Sequence, residues 1–126
     1  MNKTFTLASS LPLALFGLFA PRVASADCVD SLARIVPGFT PPHTQAVVAG
    51  PFSMRCEPGV YFGEIKNLSV GNIYPVLHLE KRENDQWRPV AQSGPYRAQA
   101  GTYRYVIRND YDREAVWELR YTIPVP

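Results

Sequence analysis

Two stretches near the C-terminal end constrain this chain most. Residues 102–108 set Tyr103, Tyr105 and Ile107 on alternate positions, and residues 115–123 do the same with Ala115, Trp117, Leu119, Tyr121 and Ile123. A period of two puts every second side chain on one face, so each stretch reads as a strand with one buried face. Aromatic and β-branched residues suit that pleated surface. No stretch of ten or more residues carries the 3.6-residue period of an amphipathic helix. The chain therefore has to build its core from strands.

The rest of 45–126 follows the same grammar. Short apolar or alternating runs at 45–49, 52–56, 60–66, 73–81, 87–91 and 96–99 are separated by Gly50-Pro51, Glu57-Pro58-Gly59, a polar segment at 67–72, a charged turn at 82–86 and Ser93-Gly94-Pro95. Many short strands at such spacing predict an all-β, antiparallel β-sandwich of seven to eight strands. Pro89 confines its strand to an edge or a bulge. The core candidates are Phe52, Phe62, Ile65, Leu77, Leu79, Tyr103, Tyr105, Ile107, Trp117, Leu119 and Ile123. In 27–44, Asp30 to Ile35 suits a helical turn, and Pro37, Pro41 and Pro42 then argue against regular structure. This segment is expected to be irregular.

Residues 1–26 read as a signal peptide. Lys3 supplies the positive start, residues 11–20 a short apolar run, and Ala24-Ser25-Ala26 a small-x-small cleavage site. The run is too short for a hydrocarbon core that takes about 20 residues to cross. Asp27 before Cys28 does not suit a lipidation site. The expected organisation is a leader at 1–26, an irregular segment at 27–44 and a sandwich at 45–126, periplasmic or secreted, with no transmembrane segment in the mature chain.

In that oxidising setting the two cysteines, Cys28 and Cys56, are expected to form a disulfide. Such a loop contributes about 3–4 kcal/mol in the chain-entropy account. Of thirteen Lys and Arg, Lys3 and Arg22 leave with the leader, so eleven cations face eleven Asp and Glu. A neutral chain lacks the basic surplus that nucleic acid requires.

Catalytic groups are sparse. His43 sits in a Pro-Pro-His turn and His78 on the polar phase of a strand, and no G-x-S-x-G elbow is present. The chain is read as a non-enzyme without a cofactor. Asp110, Asp112 and Glu114 are the best-placed oxygens for a hard cation. Tyr111 and Arg113 interrupt them, and turn chemistry explains them as well, so no metal is assigned. The aromatic residues Trp87, Tyr96 and Tyr74, with Ser93 and Arg97, are the candidate partner-binding set.

The run Gln99-Ala100-Gly101-Thr102-Tyr103-Arg104-Tyr105-Val106-Ile107-Arg108-Asn109, then Trp117-Glu118-Leu119-Arg120-Tyr121-Thr122-Ile123, resembles the closing hairpin of bacterial pre-peptidase C-terminal domains. Phe52-Ser53-Met54-Arg55-Cys56-Glu57-Pro58-Gly59 looks like their early strand and turn. Periplasmic inhibitors of invertebrate-type and goose-type lysozymes are similar sandwiches that stand alone after a signal peptide. Ser93-Gly94-Pro95-Tyr96 is similar to the S-G-x-x-Y loop of C-type lysozyme inhibitors, one residue short. The resemblance implies a β-sandwich and a non-catalytic binding module acting by protein–protein contact, with inhibition of a lysozyme-like hydrolase as one form. A glycan- or peptidoglycan-binding module using loop aromatics and a structural accessory subunit pairing through a strand edge are the other two readings.

For the closing hairpin, equal facing requires partner numbers with an even sum. A sum of 222 pairs Tyr105 with Trp117 and Arg104 with Glu118; a sum of 224 sets Arg104 against Arg120. The first register is expected, with a loop at 109–113.

Overall fold

The computed structural model describes residues 26–126. The leader expectation therefore lies, apart from Ala26, outside the described residues. Eight strands run in the order β1 (Asp30–Thr40), β2 (Thr44–Met54), β3 (Gly59–Asn67), β4 (Val76–Glu83), β5 (Gln86–Ala91), β6 (Gly94–Ala98), β7 (Gly101–Asn109) and β8 (Ala115–Val125). They form two four-stranded antiparallel sheets, β1-β8-β3-β6 and β2-β7-β4-β5. The fold is an all-β sandwich, as the alternation predicts. No helix occurs among the described residues, and so none is long and apolar enough to cross a membrane.

The inward positions are those the alternation selects. Tyr103, Tyr105 and Ile107 of β7 and Ala115, Trp117, Leu119 and Tyr121 of β8 are buried, with Leu77 and Leu79 of β4 beside them. On β3 the inward phase is Tyr61, Gly63 and Ile65, so the expected core residue Phe62 turns outward and is only half-buried. Tyrosine rings fill the centre. Tyr61 lies 4.8 Å from Tyr103, and Tyr105 lies 5.6 Å from Tyr121, between ring centroids. Tyr105 lies so close over Gly63 that a Cβ there would sit 2.6 Å from its ring.

Three expectations are corrected. The segment 27–44 is not irregular and holds no helical turn: 30–40 is a long strand, paired with β8 from Asp30↔Val125 to Thr40↔Ala115. It lies at a sheet edge, where only every second backbone N–H has a partner, so Pro37 fits without breaking the ladder. The runs at 45–49 and 52–56 are one strand with two register shifts, between Val47 and Ala49 and between Ala49 and Phe52. The third correction concerns β7 and β8, which do not pair at all. β7 lies between β2 and β4 and β8 between β1 and β3, so the 109–114 connection arches from one sheet to the other. Their aromatic faces meet across the sandwich instead of side by side, and the parity rule applied to them has no pair to act on. Arg104 faces Glu80, not Glu118. Among the described residues only β4 and β5 form a hairpin, turned by Asn84 and Asp85, both with positive φ (51° and 64°), as a type I′ turn needs.

The expected Cys28–Cys56 disulfide is present, with Cα atoms 5.1 Å apart. It ties the start of β1 in one sheet to the end of β2 in the other, beside a Glu57 N–H bond to the Ala26 carbonyl.

Candidate interaction face

The predicted partner-binding residues are distributed over different surfaces. Trp87 lies on the outer face of the second sheet, half-buried between Arg104 (4.1 Å from guanidinium carbon to ring centroid) and Arg82 (5.7 Å). Arg104 in turn bonds the buried carboxylate of Glu80 through Nε at 2.8 Å. Tyr96 pairs with Tyr61 and points between the sheets, onto Tyr103. Arg97, next along β6, points out of the first sheet, opposite Val60. Ser93 is exposed in the β5–β6 crossing. Tyr74 is at the opposite end of the sandwich, edge-on to Tyr111 at 6.3 Å. The structure does not bring Trp87, Tyr96 and Arg97 into one patch.

Two of the three acidic residues of the arch are already engaged within the subunit. Asp110 bonds Arg108 at 3.0 Å and Asp112 bonds the His43 ring at 2.6 Å, while Glu114 is exposed. Among the described residues no three His, Cys, Asp or Glu side chains converge as a metal site would require. His78 sits outward between Glu80 and Arg108, with its Nε2 buried and unpartnered. Its pKa is lowered below 6.5, first by burial and then by Arg108, against an upward pull from Glu80. Neither histidine bonds a serine among the described residues.

The two outer faces differ in kind. On β2-β7-β4-β5 the Trp87, Arg104 and Glu80 stack and its neighbours cover the centre of the sheet, so that outward-facing Val106 is 2% exposed, while Val47 on the β2 edge is 48% exposed. On β1-β8-β3-β6 no such cover exists. Ile35 (62% exposed) and Phe39 (59%) of β1 project from this face, with Val60 (47%) of β3 at its other side. Phe62 and Pro95, cross-strand partners, continue the apolar surface. In the middle, β8 presents Glu118 and Arg120, and β3 presents Lys66 and Glu64 directly opposite them.

The edges offer little for strand addition. Each of the four edge strands carries a proline: Pro37 in β1, Pro51 in β2, Pro89 in β5 and Pro95 in β6. On β1 the Ser31 N–H is further taken by the Asp30 side chain (2.8 Å), and the Ala33 carbonyl by Arg34 (3.1 Å). Such devices stop a sheet edge from templating another chain.

Reading the sequence for loop aromatics missed Ile35 and Phe39. The signal was present, since Ala33, Ile35 and Phe39 alternate with Val36 and Gly38 across Pro37, and proline obscured it. No family model matches the chain, and no curated protein matches it.

Proposed function

We propose that this protein is a periplasmic or secreted non-catalytic binding module that acts by protein–protein contact through the outer face of the β1-β8-β3-β6 sheet. The observation that carries this reading is the uncovered apolar pair Ile35 and Phe39 on one sheet face, where the opposite sheet covers its centre and exposes only Val47 at its β2 edge. Apolar side chains grouped on a surface and rimmed by charge mark contact sites. The disulfide is compatible with an oxidising compartment. The proline-bearing edges weigh against an accessory subunit that pairs by strand addition. Inhibition of a lysozyme-like hydrolase is one concrete form of the activity.

The test compares the protein with an Ile35→Asp/Phe39→Asp variant as immobilised baits in periplasmic extract and host fluid, alongside lysozyme inhibition assays. A protein retained by the first and lost from the second is expected. Equal retention by both would overturn the assignment of the face. The exposed Tyr74–Tyr111 pair supports the glycan reading as second choice. Retention on peptidoglycan that is lost in Tyr74→Ala would favour it.

A further inference from the structure

We infer that the partner covering this face is a second copy of the same chain, docked face to face about a two-fold axis. The inference rests on the reading of that sheet as a contact surface and names its occupant.

The argument starts from the four charges at the centre. The register sets Glu118 beside Lys66 and Arg120 beside Glu64 on neighbouring strands. Along β8 the order is acid then base, and along β3 it is base then acid. Signs thus alternate in both directions, as on a two-by-two chequerboard. In a two-fold, face-to-face contact, an axis along the strands between β8 and β3 lays each β8 residue over the β3 residue of the same rung. Glu118 then meets the Lys66 position of the other copy and Arg120 meets its Glu64. An axis across the strands, between the two rungs, lays Glu118 over Arg120 and Lys66 over Glu64. Either axis brings opposite charges together at every position, and a face of one sign would repel its own copy.

Within the subunit this set is incompletely paired. Arg120 bonds Glu118 at 3.1 Å, and neither Glu64 nor Lys66 joins an ion pair among the described residues. Apolar groups flank the charges on both sides, with Ile35 and Phe39 on β1 and Phe62 and Pro95 on β3 and β6. A two-fold along the strands sets Ala33 over the Pro95 position of the other copy and leaves Ile35 and Phe39 beyond the end of β6, whereas a two-fold across the strands sets Ile35 over Pro37 and Phe39 over Ala33, so the second axis is the one that covers the apolar pair.

The area fits. Four strands spaced about 4.8 Å apart and rungs repeating about every 6.7 Å give roughly 500–600 Å² per copy. Twice that lies just under the lower limit of specific interfaces, about 1,200 Å² in total, before side-chain relief is added. Face-to-face sheet packing at about −30° is an established arrangement of twisted sheets. The expected product is a reversible dimer in the micromolar range, weakened by salt.

Sedimentation equilibrium of the protein from about 5 µM to 500 µM tests this, a range that brackets micromolar dissociation. Two variants decide the mechanism: Lys66→Glu/Arg120→Glu makes the four central charges acidic, and Glu64→Lys/Glu118→Lys makes them basic. Each is expected to be monomeric alone, with circular dichroism unchanged, and an equimolar mixture is expected to recover the dimer. Recovery on mixing cannot arise from misfolding. A wild-type protein that stays monomeric throughout, or an all-acidic variant that dimerises as well as wild type, overturns the proposal. If the wild type is monomeric while Ile35→Asp/Phe39→Asp still loses a captured protein, the dimer fails and the binding-module reading stands. If that variant and wild type retain the same proteins, the contact face itself has been misassigned.

Discussion

Asn109 closes the arch between β7 and β8 and is fully buried. Its Nδ2 donates to the carbonyls of Arg113 (2.7 Å), Thr40 (3.1 Å) and Pro41 (3.2 Å), and its Oδ1 accepts the Tyr111 N–H (3.0 Å). One amide thus holds the arch to the turn joining β1 and β2. The Thr40 hydroxyl beside it accepts the Trp117 indole N–H at 3.0 Å. Asn109→Ala strands the buried Thr40 carbonyl, at about 1–3 kcal/mol, and removes the partners of two part-buried carbonyls and an N–H. A loss of about 3 kcal/mol is expected in urea denaturation. Asn109→Asp supplies no donor for the three carbonyls and is expected to be at least as damaging. A loss under about 1 kcal/mol for Asn109→Ala would show that water replaces the amide.

At the scale of the element, prolines mark out the sheet. β3, β4 and β7 contain none, and β8 has only Pro124, beyond the rungs where β3 flanks it. A central strand donates ladder bonds to both sides, so it has no free N–H position for a proline. Pro37→Thr is therefore expected to change stability by no more than about 0.5 kcal/mol, the usual range for exposed changes. Val106→Pro, in the middle of β7, is expected to cost about 3 kcal/mol or more. Denaturant midpoints of the two variants check this together. Comparable losses would mean that Pro37 itself stabilises β1, through its packing or its restriction of the unfolded chain, and is more than tolerated at the edge. Pro37 was also the reason 30–40 did not read as a strand, because a proline breaks a central strand and suits an edge one, and the sequence does not say which strands are edges.

At the scale of the whole molecule, the tyrosine centre sets the response to alkali. Burial, with a smaller push from neighbouring Tyr96, raises Tyr103 from 10 to about 12. Burial raises Tyr61 and Tyr105 further. The unfolded chain ionises these groups near 10, so the folded state holds more protons above that pH. Their contribution to stability is complete below pH 10 and is lost as pH climbs toward and through 12. Absorbance of tyrosinate and circular dichroism, followed together from pH 9 to 13, check the expectation. Ionisation of the buried tyrosines should coincide with loss of the fold. Their full ionisation at pH 11 in a protein that keeps its native spectrum would contradict it.

What the amino-acid sequence determined by itself was the facing of side chains. Alternation is local, so the inward sets of β4, β7 and β8 and the half-buried turn-and-strand grammar of the sandwich were legible in short windows. The disulfide was legible too, because two cysteines leave one pairing. Facing, however, says nothing about which sheet a strand joins. Two strands with one apolar face each bury it equally well side by side over a third element or opposed across a core. Only the tertiary structure placed Tyr105 against Tyr121 instead of beside Trp117, and Arg104 beside Glu80. The candidate face depended on the same non-local choice. Ile35 and Phe39 become neighbours of the Glu118–Arg120 and Glu64–Lys66 set only once β1 pairs with β8 and β8 with β3, joining segments far apart in the chain. That pairing is chosen by the packing of the whole sandwich, which no local window contains.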